Sequence, residues 1–321
     1  MAEYLRSSTR PVQSDSPTLD WTLVLAGGEG TRLAEYVERR FGHRIPKQFC
    51  RLLGSRSMLE HTLDRLNRLT PAARTLAVIG TDQAALAMPQ LAGRCDHVFR
   101  QPAARDTGIA LYVALAMVLR WTPNAIVAIT PADHYVAPAD AYVEQVRRAR
   151  SIAARRRDTV VLLGARPTEP DPDLGYLAIG GPIASLPGAL AVDAFVEKPA
   201  VTRASALIRG GALWNTMVMC ATASTLWELG RAVEPGLFDL LEALIPLVGT
   251  RHEDTALAHV YRTAGALGFS RGVLERSPAR LVAVALDGVE WSDWGRPERV
   301  ETTLALRRSR ALVSDASALV A

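Results

Sequence analysis

At 321 residues, with 49% hydrophobic and 22% charged residues, the chain can build a large core, and its length allows two domains or one large α/β sheet. A formal charge of +4, with no dense basic run interleaved with aromatics, argues against nucleic acid as a partner and suits small anionic substrates. Cys50, Cys95 and Cys220 are odd in number and widely spaced, which speaks against a disulfide framework or a cysteine zinc site and fits a reducing, cytoplasmic setting. No apolar stretch approaches roughly 18 residues, so neither a membrane span nor a membrane partner is expected.

In chain order, residues 1–18 are rich in Ser, Thr, Pro and Gln without apolar period and read as a mobile arm. A short apolar strand from Trp21 opens into Ala26-Gly27-Gly28-Glu29-Gly30-Thr31-Arg32-Leu33. Glycines let backbone N–H groups converge on an anion, and Arg32 adds a planar donor fork. The competing reading is a tight strand-to-helix turn. The loop is not a Walker loop, having no lysine before Lys47, and Leu33 stands where a dinucleotide fingerprint needs its third glycine. Residues 34–45 are polar and arginine-rich and read as an exposed excursion. Ser57 and Glu60 form a capping box that opens a helix over about 58–69. Strands at 75–79, 97–99 and 125–130 then alternate with helices near 82–88 and 107–119. This βαβα rhythm predicts a mostly parallel, doubly wound sheet. Pro138 starts a helix reaching about 154, followed by a strand at 159–165. Beyond it the alternation breaks. Strands are expected at 176–179, 192–197, 213–220 and 281–286, helices crowd between about 222 and 264, and a last helix spans about 297–309. One domain over 19–310 with a substrate-side subdomain, followed by a tail at 311–321, is the economical organisation.

Residues just after parallel strands come first as ligand candidates. Asp133 and Asp293 follow strands, and two carboxylates at one sheet edge could hold Mg²⁺ beside substrate phosphates; each could instead be a turn or capping aspartate. Glu197, Lys198 and Asn215 offer acceptors, a cation and an amide suited to a sugar phosphate, with a solvated Glu-Lys pair as the alternative. Gln101 could read a base edge or be an ordinary loop residue. Of 37 basic residues only Lys47 and Lys198 are lysine, which marks both as phosphate candidates. The six histidines are scattered and no nucleophilic triad is legible, as fits phosphoryl or nucleotidyl transfer by an anionic nucleophile.

Together, Leu25–Leu33, Pro46-Lys47-Gln48-Phe49, Pro131-Ala132-Asp133-His134, Gly175-Tyr176, Phe195–Pro199, Trp214-Asn215 and Trp291–Gly295 resemble, in order, the motifs of the sugar-1-phosphate nucleotidyltransferase family, above all its mannose-1-phosphate guanylyltransferase branch. The resemblance covers about residues 21–300. It implies a Rossmann-like, doubly wound mixed sheet of the nucleotide-diphospho-sugar transferase type. It also implies a cytoplasmic enzyme, one that could form a homo-oligomer, acting on a nucleoside triphosphate and a sugar 1-phosphate. Arg32 and Lys47 would be catalytic; Ala26, Gly27, Gly28, Gly30, Thr31, Gln101, Asp106 and Thr107 would bind nucleotide. Gly175, Glu197, Lys198 and Asn215 would bind the sugar phosphate, and Asp133 and Asp293 Mg²⁺. The chain departs from the family pattern in four respects. The 34–45 link is longer and lacks Trp-Pro, Asp106 stands where asparagine is common, Met217 stands where glycine often follows Asn-Ser, and the additional C-terminal domain of many relatives is not expected. A binding-only relative is the second reading, and a nicotinamide dehydrogenase, already short of a glycine, the third.

Overall fold

The computed structural model describes residues 20–318, and side chains to Arg310, so the expected arm at 1–18 lies outside the described residues. In chain order the main elements are β1 (Asp20–Leu25), α1 (Ala34–Phe41), α2 (Met58–Leu66), β2 (Thr75–Gly80), α3 (Ala84–Leu91), β3 (His97–Gln101), α4 (Asp106–Trp121), β4 (Ile126–Pro131), β5 (Tyr135–Ala137) and α5 (Ala139–Arg155). The second half contributes β6 (Val160–Ala165), β7 (Gly175–Pro182), β8 (Leu190–Glu197), α6 (Val201–Arg209), β9 (Leu213–Thr222), α7 (Ala223–Val233), α8 (Pro235–Leu244), α9 (Glu253–Thr263), β10 (Leu281–Ala285), β11 (Glu290–Ser292) and α10 (Pro297–Ala318). The last helix therefore continues through much of the stretch expected to be a tail.

Nine strands form one sheet in the order β3-β2-β1-β4-β9-β6-β10-β8-β7. The run β3-β2-β1-β4 is parallel throughout, as the βαβα rhythm of the first half requires. The second half corrects the expectation of a mostly parallel sheet. β9 is antiparallel to both β4 and β6, and β8 is antiparallel to β7 and β10. The broken alternation after Ala165 is the sequence counterpart of this change: β7 and β8 follow one another with no helix between them, so a parallel crossover is unavailable. Trp214 of β9 also pairs with Tyr176 of β7, so the far strands curl back on β9.

Helices cover both faces. α4 is apolar nearly all round, and every residue from Gly108 to Val118 is buried, because it lies between the sheet and a second layer made by α7 and α8. α5 instead buries one stripe, Tyr142, Val143, Val146, Ala149, Ile152 and Ala153, against β4, β6 and β9 on the opposite face. The excursion read at 34–45 is largely helical. Among its arginines, Tyr36 and Val37 fall on one side of α1 and enter a small third core with Leu52, Met58, Tyr135 and Trp294. Gly42, at φ 79°, ends the helix by donating to the Glu38 carbonyl at 2.8 Å.

All three cysteines are buried, and burial pushes each thiol up to about 12.

Candidate active site

The glycine loop leaves the carboxyl end of β1 and enters a short 3-10 turn, Thr31–Leu33, through Gly30 at φ 64°. Three glutamine amides hold its carbonyl side. Gln48 Nε2 donates to the Ala26 and Gly28 carbonyls at 2.7 Å each, Gln83 Nε2 to Gly28 at 3.2 Å and Gln101 Nε2 to Gly27 at 3.2 Å. The N–H groups of residues 27–30 meet no acceptor among the described residues. They line a cavity of about 500 Å³, which also takes in Thr31, Gln101, Asp106, Thr107, Asp133 and Met217. Consecutive unspent backbone donors on a glycine loop make a nest for an anion. The structure thus brings all eight expected nucleotide residues to one cavity. It also shows part of the Gln101 amide committed to the loop: a Cβ on Gly27 would sit 2.4 Å from Gln101 Nε2.

Asp133 and Asp293 converge on Lys47. The lysine is 4% exposed; its Nζ lies 2.9 Å from Asp133 Oδ2 and donates to the backbone carbonyl of Asp293, with the Trp294 carbonyl at 3.4 Å. This differs from the expectation of a lysine on phosphate. A buried ammonium has to be fully paired, and here protein acceptors take its protons, so Lys47 acts first as the tie between the two carboxylate-bearing segments. Asp293, itself buried, receives Arg299 Nη1 on Oδ1 at 2.7 Å and has Arg32 Nη2 3.5 Å from Oδ2.

Burial alone would raise both carboxyls. Lys47 and the neighbouring His134 outweigh it at Asp133, and His134, Arg299 and Lys47 do so at Asp293, so both are held below the usual carboxylate range. Such groups contribute stability that is present above their unfolded pKa and is lost as pH falls through the folded value. Among the described residues no cluster of three or more His, Cys, Asp or Glu could hold an ion unaided. Two ionised hard-oxygen donors nevertheless fit Mg²⁺, which is usually bound by one or two carboxylates together with substrate phosphates.

Gly295 has no room for a side chain here: a Cβ would lie 2.2 Å from Asp293 Oδ2 and 2.9 Å from Arg32 Nη1. Gly295→Ala should therefore displace the carboxylate and lower the turnover number by about tenfold or more, in line with losses seen when the support of a ligand is disturbed. Steady-state kinetics beside a melting curve checks this; an unchanged rate in a folded variant would show that the carboxylate position is not critical.

A second group forms where β7, β8 and β9 meet. Gly175 pairs in register with Glu197, and a Cβ on Gly175 would come 2.8 Å from Glu197 Oε2 and 3.5 Å from Asn215 Cβ. Burial raises the Glu197 carboxyl, partly offset by the charges of Lys198 and Arg271. Asn215 Oδ1 accepts from the Met217 N–H at 3.1 Å, and Met217 lines the glycine-loop cavity, so the two groups are contiguous. A bulge in β9 opposite Leu163 is what re-aims Met217.

Four non-glycine residues among those described have positive φ: Asp106 (64°), Lys198 (48°), Met217 (57°) and Trp294 (43°). All four lie in stretches that the sequence singles out. Each such backbone costs on the order of 1–3 kcal/mol, and two of them, Asp106 and Met217, line the glycine-loop cavity, where geometry outranks stability. Asp106 and Met217 are two of the four departures noted above, at positions where the resemblance leads one to expect asparagine and glycine, the residues most at ease in this conformation.

Sequence reasoning misses the supporting residues. Gln48 sits inside a motif whose lysine is the more conspicuous member, and Gln83 carries no signal. Arg299 has in sequence only the character of a terminal-helix residue. In the structure it joins Asp293 to Asp171, which is 1% exposed, and to Glu169 at 3.0 Å, while Arg296 Nη2 binds Asp171 at 2.9 Å and Asp173 at 2.8 Å. The proline and acid loop after β6 thereby anchors the start of α10.

Residues 21–303 match the family described as Nucleotidyl transferase. The xanthan biosynthesis protein XanB of Xanthomonas campestris pv. campestris (strain B100) is 30% identical over 222 residues, covering 68% of this chain and 45% of that protein. The mannose-1-phosphate guanylyltransferase of Sinorhizobium fredii (strain NBRC 101917 / NGR234) is 28% identical over 282 residues, covering 85% of this chain and 52% of its own. The chain thus spans about half the length of the curated relatives it matches. A crystal structure of mannose-1-phosphate geranyltransferase from Thermus thermophilus is similar with a TM-score of 0.75 at 32% identity, over 87% of this chain and 77% of that one.

Proposed function

The chain belongs to the nucleotidyl transferase family, and from that premise we propose that it makes a nucleoside diphosphate sugar from a nucleoside triphosphate and a sugar 1-phosphate, releasing pyrophosphate. GTP and mannose 1-phosphate are the favoured pair. The observation that carries this is the meeting of the unspent N–H groups of residues 27–30 with Asp133 in one cavity, continuous through Met217 with Asn215, which lies with Glu197 beside Gly175.

The glycine-loop donors and Arg32 hold the triphosphate, and Lys198 and Asn215 orient the sugar phosphate. Its phosphate oxygen, already anionic, attacks the α-phosphorus; the new P–O bond forms as the bond to the β-phosphate breaks, and pyrophosphate carries away the electron pair. No general base is needed, so positioning and charge neutralisation supply the catalysis. Asp133 and Asp293 would hold Mg²⁺, which when bound offsets negative charge on the phosphates. Lys47 keeps the two carboxylate segments together, and Arg299 fixes Asp293.

A catalytically silent sugar-nucleotide binder is the alternative, motivated by Asp106 and Met217. Both residues keep the left-handed backbone despite their side chains, which favours a working site. Pyrophosphate release measured for five nucleoside triphosphates against several hexose 1-phosphates, with Mg²⁺, tests both readings. GTP with mannose 1-phosphate should be fastest. Tight binding without turnover would select the silent reading, and neither binding nor turnover with any pair would overturn both.

A further inference from the structure

A second and larger cavity, about 970 Å³, is lined by residues of α2, β5 and α10 and shares His134 with the nucleotide cavity. Five arginines line it, and their pairing differs. Arg56 is bound to Asp64 at 2.5 Å, Arg310 to Glu290, and Arg68 to the exposed Asp140 at 2.5 Å. Asp64 and Glu290 are the cavity's two carboxylates, so both are already used. Arg65 and Arg307 have no carboxylate within ion-pair distance among the described residues.

Arg65 is the informative one. Its Nη2 donates to Thr62 Oγ1 at 2.9 Å and its guanidinium lies 5.6 Å from the centre of the Tyr142 ring, yet Nε is buried with no hydrogen-bond partner. A cation with an unsatisfied buried donor is costly unless an anion completes it. The lining also has an apolar part, Met58, Tyr135, Val136 and Pro138. A guanidinium fork matches phosphate oxygens in pairs, and an apolar wall accepts the organic part of a ligand.

We propose that this cavity is a binding site for a phosphorylated organic anion, held by Arg65 with Arg68 and Arg307 and packed against the apolar part of the lining. His134 lines both cavities and stands next to Asp133, so an occupant here is coupled to the nucleotide cavity. Only that coupling rests on the reading of the first cavity as a nucleotide site.

Phenyl phosphate, with inorganic phosphate as its fragment, probes the site by calorimetry on the full chain. Phenyl phosphate should bind with a Kd at or below about 1 mM, more tightly than phosphate, and equally well to Arg32→Ala. Its affinity should fall about tenfold in Arg65→Met, the size of one charge-assisted contact, and by a comparable factor in Arg307→Glu, an exposed change that spares the fold. Binding unchanged in folded Arg65→Met and in Arg307→Glu, or binding abolished by Arg32→Ala, would overturn the site. So would no binding of phenyl phosphate up to about 10 mM. A Kd that does not move when a nucleoside triphosphate is present would overturn the coupling while leaving the site standing, because linkage requires each ligand to shift the other.

Discussion

Asp293→Asn should lower the rate of pyrophosphate release by about a thousandfold, the upper range for removing one preorganised electrostatic contact from a transfer site. Asparagine preserves the shape that lies against Gly295 and Arg299 but removes the charge. The loss should come with a higher Mg²⁺ concentration for half-maximal rate, because a hard cation gives up an ionised oxygen ligand for a neutral one. The fold should survive. Arg299 retains Asp171 and Glu169, and the cost to stability should be about 1–2 kcal/mol, a few degrees in the melting temperature for a chain of this size. Kinetics across a Mg²⁺ series, read beside thermal melting, separates the two effects. A variant within about threefold of the parent rate would remove Asp293 from the chemistry.

Arg32→Ala should slow transfer by about a hundredfold with little change in melting temperature. The side chain is 55% exposed, and its one ion pair among the described residues, to Asp293, is long at 3.5 Å. The guanidinium is mostly in solvent and buried Asp293 keeps its closer partner Arg299, so losing this long contact costs little stability and a rate effect cannot be passed off as unfolding. A guanidinium beside the glycine loop is free to turn to the triphosphate, and charge developing on the leaving phosphates is what it would neutralise. Lysine at this position should restore only part of the rate, since a point charge does not reproduce a planar fork. Single-turnover measurements with saturating nucleotide test this, and equal rates for the parent and Arg32→Ala would end the assignment.

Element type is legible wherever local pattern decides it. The capping box at Ser57 and Glu60 is formed in both directions, the glycine loop sits at the end of β1, and β1, β2 and β4 carry clear apolar runs, whereas the three-residue β5 leaves no such signal. The grouping of site residues is also legible, because their motifs fall at strand ends, where a sheet of this type places ligands. Three things are not. α1 hides its apolar positions among arginines and glutamates, so polarity outweighs period. Strand direction after Ala165 depends on partners far away in sequence, which no local window contains. The hydrogen bonds that shape the site, Gln48 and Gln83 on the loop and Arg299 on Asp293, come from residue types that are ordinary surface residues elsewhere; only the tertiary fold makes them partners. Lys47 shows the same limit from the other side. Its rarity flags it, but its burial, and with it the change from phosphate contact to internal tie, is a property of packing.

The position of β9 has a consequence for how the chain is made. This strand, at residues 213–222, is inserted between β4 and β6, and β10, at 281–285, between β6 and β8. A ribosome that has delivered the glycine loop, Lys47 and Asp133 has produced every strand of the parallel half, yet β4 still presents a bare edge. Even after β9 arrives, β6 and β8 wait for β10. Pairings this distant are slow to form, and open strand edges invite association with other chains. The nascent protein therefore depends longest on protection from aggregation while its second half is being made. The strand that closes the centre of the sheet is also the one that carries Asn215 and Met217 to the junction of the two halves of the cleft.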